Sequence, residues 1–259
     1  MKLVVKDLET EAKHAAIMAQ FGTPLDASTR ASLEDYGFDD SRPVGCMKWI
    51  WCQWLLQRPR AEIQLQVEPF VARGMQTYEM STLFHKRPVH DLYLLHCAVF
   101  ACGDTQLKQL AGLVVDGSGD GRHTPRNDGD LYASAWTGML KYWILGDHER
   151  AASQSELLWP AYRFPSFKAA AKPLIVPWLK RDWASFRKQQ DKDFEKSWVR
   201  ARRDRIVKSE TETETVVAVV SSIQQLWCWA HCGMAMLAHR AGVEVATDPY
   251  WFPPHALIA

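Results

Sequence analysis

Residues 224–257 read QQLWCWAHCGMAMLAHRAGVEVATDPYWFPPHAL. Between Leu226 and Ala238 no side chain is formally charged, and His231 is the one strongly polar group. A helix that is apolar on every face cannot hide itself by lying on the outside of a domain, so the stretch predicts a helix buried inside one. It is too short to cross a bilayer, which takes about 20 residues. Arg240 falls in the last turn, at the negative end of the helix dipole, and Gly242 just beyond, where a left-handed cap favours glycine. Asp248-Pro249 turns the chain, and Pro253-Pro254 forbids helix before His255. The expected fold is a set of helices packed around this buried C-terminal helix and closed by Tyr250, Trp251 and Phe252.

Upstream, LLHCAVFACGDTQLKQLAGLV (Leu94–Val114) and GMLKYWILGDHERAASQSELL (Gly138–Leu158) share one layout: an apolar helix, Gly-Asp, and an amphipathic helix. Glycine accepts the left-handed conformation that ends the first helix. Aspartate then caps the second by accepting from its free N–H groups. Each unit predicts an antiparallel helical hairpin. The two Gly-Asp pairs stand 43 residues apart, a period that suits helix-pair arrays of the tetratricopeptide or HEAT kind. Coincidence is the competing reading, because Gly-Asp turns are common between helices, and a third unit at Arg60-Ala61 lacks both residues.

The remaining helices follow from apolar spacing and punctuation. One covers Leu8–Phe21, and a short one falls within 28–36. Another starts at Pro43 and runs through CMKWIWCQWLLQ. The next runs from about Arg60 to Phe84, where Pro69 predicts a kink or a break. Ser166 opens one that Pro173 and Pro177 interrupt. Residues 180–208, KRDWASFRKQQDKDFEKSWVRARRDRIVK, read as a long amphipathic helix with eleven Lys or Arg against five Asp or Glu. Its interspersed acids and its aromatics at core spacing favour a solvated face over a nucleic-acid site. Val216–Val220 is β-branched and could be a short strand, but it reads better as the lead-in to the C-terminal helix. These elements make one all-α domain over 1–259, built of stacked antiparallel helical hairpins.

The chain has 259 residues, a formal net charge of +1, 47% hydrophobic residues and 12 tryptophans. That charge gives no global attraction to nucleic acid or to a membrane surface, and the tryptophans call for a substantial core. MKLVVKDLETEAKH has no signal-peptide apolar region. All six cysteines (Cys46, Cys52, Cys97, Cys102, Cys228, Cys232) lie in apolar helical stretches, as reduced core residues do. A cytosolic location is expected.

Cys228, His231 and Cys232 share one side of the C-terminal helix and offer three of the four ligands zinc takes, or a thiol beside a base. Zinc sites usually draw ligands from turns, and a buried helix presents no nucleophile, so core packing is the better reading. His85, His90, His96 and Asp91 cluster in sequence without the spacing of a metal helix. Asp116, Ser118, Asp120 and Gly121 imitate a calcium loop, but position twelve is Asn127 where a bidentate Glu is needed. Phosphate-binding and nucleophile-elbow motifs are missing. No cofactor, no metal and no catalytic residue is expected.

LLHCAVFACGDTQLKQLAGL, YWILGDHERAASQSELL and above all MAMLAHRAGVEVATDPYWFPPHALIA resemble the all-helical immunity proteins of bacterial polymorphic-toxin systems. The closest likeness is to the immunity protein 49 family. The resemblance implies a small cytosolic protein that binds a cognate toxin, often a nuclease, and blocks its active site. A helical-repeat adaptor and a Cys/His hydrolase are the alternatives. Nuclease clefts are basic, so an inhibitor offers acid. Two stretches qualify. One is Glu34, Asp35, Asp39 and Asp40 with the aromatics Tyr36 and Phe38. The other is the Gly-rich loop Val114–Asp130 with Asp116, Asp120, Asp128 and Asp130. Both could equally be plain solvated loops.

Overall fold

A computed structural model describes residues 2–4, 31, 34–56, 58–80, 88–115, 128–161, 165–190, 206–208, 216–219 and 229–245. The helices are α1 (Pro43–Leu55), α2 (Arg60–Met80), α3 (Pro88–Ala101), α4 (Asp104–Leu113), α5 (Asp128–Leu145), α6 (His148–Ala161), α7 (Pro165–Leu179), α8 (183–190) and α9 (Trp229–Arg240). Strands β1 (Lys2–Val4), β2 (Ile206–Lys208) and β3 (Val216–Val219) form one small sheet in the order β1-β3-β2. In it β1 runs parallel and β2 antiparallel to β3, with Leu3 opposite Ala218 and Val207 opposite Val217. Apart from this sheet, the described fold is all-helical, as expected. The helix predicted at Leu8–Phe21 and the aromatic tail at Tyr250–Phe252 lie outside the described residues.

Burial of the C-terminal helix is observed: every described side chain from Cys232 to Ala238 is buried. The helix that its neighbours surround is a different one. α1, α2, α4, α5 and α9 all pack on α3. Each residue from Leu94 to Cys102 is buried, with Leu95, Cys97, Ala98, Val99 and Ala101 at 0% exposure. Beyond Asp91 the helix α3 is apolar on every side except at His96, and its Cys and Ala side chains are small enough for several helices to approach at once. Where α9 meets it, Gly233 faces His96. A Cβ at Gly233 would lie 2.8 Å from Cδ2 and 2.9 Å from Nε2 of that ring, closer than packed atoms tolerate.

The two Gly-Asp turns differ. At the α5–α6 turn Gly146 is left-handed (φ +84°). Its N–H donates to Trp143 O (3.0 Å), and that of Asp147 to Tyr142 O (2.9 Å). Asp147 then caps α6 by accepting from the Arg150 N–H at 3.1 Å. This is the geometry expected from the sequence. Gly103 is extended instead (φ −69°, ψ 164°) and caps α4 without a side-chain bond. The repeated layout is therefore one dipeptide in two conformations. The geometric twin of Gly146-Asp147 is Arg181-Asp182, between α7 and α8. Arg181 is left-handed (φ 57°), and Asp182 accepts from the Ser185 N–H at 3.1 Å. The backbone bonds match too, from Arg181 N–H to Trp178 O and from Asp182 N–H to Pro177 O. An L side chain is strained there, so Arg181→Gly should stabilise the fold by about 0.5–1 kcal/mol. Urea unfolding measures this, and a destabilised variant would contradict the assigned turn.

Three further expectations change. α2 passes through Pro69 without the break that was one of the two outcomes expected there, and α7 passes through Pro173 and Pro177 without interruption. Pro69 and Pro173 are exposed, so the missing helix bonds fall on a side that water can reach. The basic helix does not continue to residue 208: Ile206–Lys208 is β2, and Val216–Val219 is its partner strand rather than a helix lead-in. β-Branched runs favour that pairing. The Gly-rich loop ends earlier than expected, because α5 already begins at Asp128.

Candidate functional site

The acidic segment 34–40 leads into α1 and is fastened from below. Phe38 stands edge-on to Trp49 (centroids 5.0 Å apart, 85°) and to Phe70 (6.0 Å, 89°). Tyr36 packs against the same core. Each aromatic contact of this geometry contributes about 0.5–1.5 kcal/mol beyond its buried area. Both rings are half-buried, so they hold the segment down, and Glu34, Asp35 and Asp40 remain outside.

Two arginines arrange those acids. Glu34 pairs with Arg58 at 3.4 Å and Asp40 with Arg73 at 3.2 Å. Exposed pairs of this kind contribute at most about 1 kcal/mol each, so they orient more than they stabilise. Asp35 is exposed. Asp39 turns back on the chain and accepts from the N–H (3.0 Å) and the Oγ (2.5 Å) of Ser41. Those bonds hold its carboxyl below the usual range. The carboxylate lies over the start of α1, where a Cβ on Gly45 would fall 2.0 Å from Asp39 Oδ2. Gly45 thus makes room for the turn, and Pro43 opens the helix where no N–H is needed. The result is a short surface segment with a set shape, three outward carboxylates and a close arginine for two of them.

The second acidic stretch is less informative. Asp116 and Asp120 lie outside the described residues. Asp128 and Asp130 sit in the first turn of α5, where negative charge favours the helix, and their side chains lie outside the described set.

The proposed chemical constellations divide similarly. Cys228 and the His231 side chain lie outside the described residues, while Cys232 is fully buried. Among the described residues no group of three His, Cys, Asp or Glu could hold a metal ion. Cys46, Cys52, Cys97, Cys102 and Cys232 are all buried thiols, as expected of core cysteines. Burial pushes Cys52 and Cys102 up to about 12, so neither is a thiolate at neutral pH. His96 is in the core, its Nδ1 at 2.7 Å from Leu92 O, and His90 is exposed. Asp91 is buried and accepts from the hydroxyl of Tyr78. His85 lies outside the described residues.

Sequence reasoning missed the arginines. Arg58 and Arg73 reach acids 24 and 33 positions away. Arg240, expected to serve its own helix end, crosses to α3 instead. Its guanidinium donates to Val99 O (2.8 Å), Cys102 O (2.5 Å) and the Asp104 carboxylate (2.7 Å). It closes the open carbonyl end of α3 and joins α9 to the start of α4, with its side chain only 14% exposed. An arginine at a helix end signals a cap, but nothing local says whose.

Comparison with protein-family models, with curated proteins and with solved structures returned no match. No helix among the described residues is long and apolar enough to cross a membrane.

Proposed function

We propose that this chain is an immunity protein that captures a cognate secreted bacterial toxin, a nuclease, and covers its active site. It acts by binding, in the cytosol, with no catalysis, cofactor or nucleic-acid contact of its own. The observation that carries the reading is the fixed acidic segment 34–40. Its half-buried aromatics pack on the core while Glu34, Asp35 and Asp40 face solvent. A segment already held in shape loses little freedom on docking. Exposed carboxylates speed encounter with a basic cleft and disfavour acidic partners. The likeness of the C-terminal stretch to immunity proteins supports the same conclusion, and the quoted residues alone bear it.

Co-expression with the product of the neighbouring reading frame tests the proposal. Co-elution on a sizing column and rescue of growth are expected. Replacing both Asp35→Lys and Asp40→Lys should weaken that complex by about 10-fold or more while leaving the melting temperature nearly unchanged. A harmless neighbour and no complex would reject the inhibitor and leave a helical adaptor for another partner.

A further inference from the structure

Among the described residues, the most exposed large apolar side chain is Leu65, at 74%. Leu65, Pro69 and Arg73 recur every four residues on α2, so they fall along one side of it. All three are exposed. A lone exposed leucine is ordinary, but this one has company. Pro69 has no N–H to offer the Leu65 carbonyl, which is its partner position in a regular helix. A proline in mid-helix also weakens α2, and an exposed one gains little from the core in return. The stripe borders the acidic segment at Arg73, which reaches Asp40 at 3.2 Å, while on the buried side of α2 Phe70 meets Phe38. An apolar knob, a backbone acceptor and a row of carboxylates therefore adjoin on one surface.

We infer that Leu65 and Pro69 form the apolar centre of the interface, seated on a protein face that is basic around an apolar hollow. Lysine or arginine side chains of that face meet Asp35 and Asp40 on one side and the Leu65 carbonyl on the other. Charge complementarity selects this occupant: the exposed carboxylates Asp35 and Asp40 call for cations that donate. A second copy of this chain would bring the same acids against themselves. The inference rests on the inhibitor reading and adds to it the contact that supplies affinity, since interfaces concentrate their energy in central apolar anchors.

The test titrates the purified product of the neighbouring frame against four proteins: the wild type, Leu65→Ala, Pro69→Ala and the control Leu157→Ala. Leu157 is exposed on α6, at 51%. Leu65→Ala should bind about 30-fold more weakly with an unchanged melting temperature. Pro69→Ala should melt higher and yet bind more weakly, which a merely structural proline would not do. Leu157→Ala should bind as the wild type does. If the wild type binds and both α2 variants match it, this surface is overturned and the inhibitor reading stands. If the wild type itself does not bind, the inhibitor reading falls and takes this surface with it.

Discussion

Trp178→Ala is expected to cost about 3–5 kcal/mol of folding stability, the range for truncating a buried aromatic. The side chain is fully buried near the end of α7. Its ring stacks on Trp143 with centroids 3.9 Å apart and 25° between planes. Its Nε1–H donates to Met234 O at 3.1 Å, which ties α7 to the buried α9. Truncation opens a cavity that two helices and a second tryptophan cannot close together. Trp178→Phe keeps most of the ring and loses the hydrogen bond, so its cost should be smaller. Trp183→Ala should also cost less, because Trp183 is half-buried and meets Trp143 edge-on at 5.9 Å. Urea unfolding of the three variants gives the order. A loss below about 1 kcal/mol for Trp178→Ala would mean that α7 does not pack on α9 as described.

A second large effect should appear as acid is added. Burial drives the pKa of His96 down from 6.5 to about 4, against a smaller opposing pull from its bond to Leu92. The folded chain keeps the imidazole neutral where the unfolded chain protonates it. Between those two values the unfolded state binds more protons, so stability rises with pH across that window. The contribution is complete above pH 6.5. It falls by about 3 kcal/mol as the pH drops to 4, at roughly 1.4 kcal/mol per unit. Asp39, Asp182 and Glu244 are held below their usual values of 3.8, 3.8 and 4.5, so their contributions begin to fall only at the acid end of this window and continue to fall below it. Chemical denaturation from pH 7 to pH 4 measures the slope. His96→Met should flatten it, even if that variant is less stable at pH 7. An unchanged slope in the variant would show that His96 is not the group titrating.

The helices were legible where the signal is local. An uncharged run such as Leu226–Ala238 can only be satisfied inside, and its described side chains, Cys232 to Ala238, are inside. Gly146-Asp147 carries both a left-handed residue and a cap within two positions, and the turn forms as those residues dictate. The same reasoning failed at Gly103-Asp104. There Arg240 binds the Asp104 carboxylate and takes the carbonyl of Cys102 that a left-handed glycine would have helped to close. Arg181 was invisible as a turn residue because its conformation is imposed by the helices on either side, against its own preference. The prolines of α7 misled because the cost of a lost hydrogen bond depends on which way it faces, and that is set by packing. For the acidic segment, sequence located the acids and the aromatics. The division of labour between them depends on Trp49 and Phe70, and the pairing of the acids on Arg58 and Arg73.

Sequence alone determined that this chain is helical, that residues 232–238 go inside, that the five described cysteines belong to the core, and where acids and aromatics lie together. Each follows from residues within a turn or two of one another, where propensity and burial act without knowledge of the rest. Only the tertiary structure decided that α3 is the helix the others surround. It likewise decided that two Gly-Asp pairs make different turns, that Arg240 caps a helix other than its own, and that Leu65 stays outside beside the acids. These outcomes rest on contacts between groups tens of residues apart. Which of several apolar helices lies at the centre depends on how many neighbours can reach it, and no single stretch of sequence carries that information.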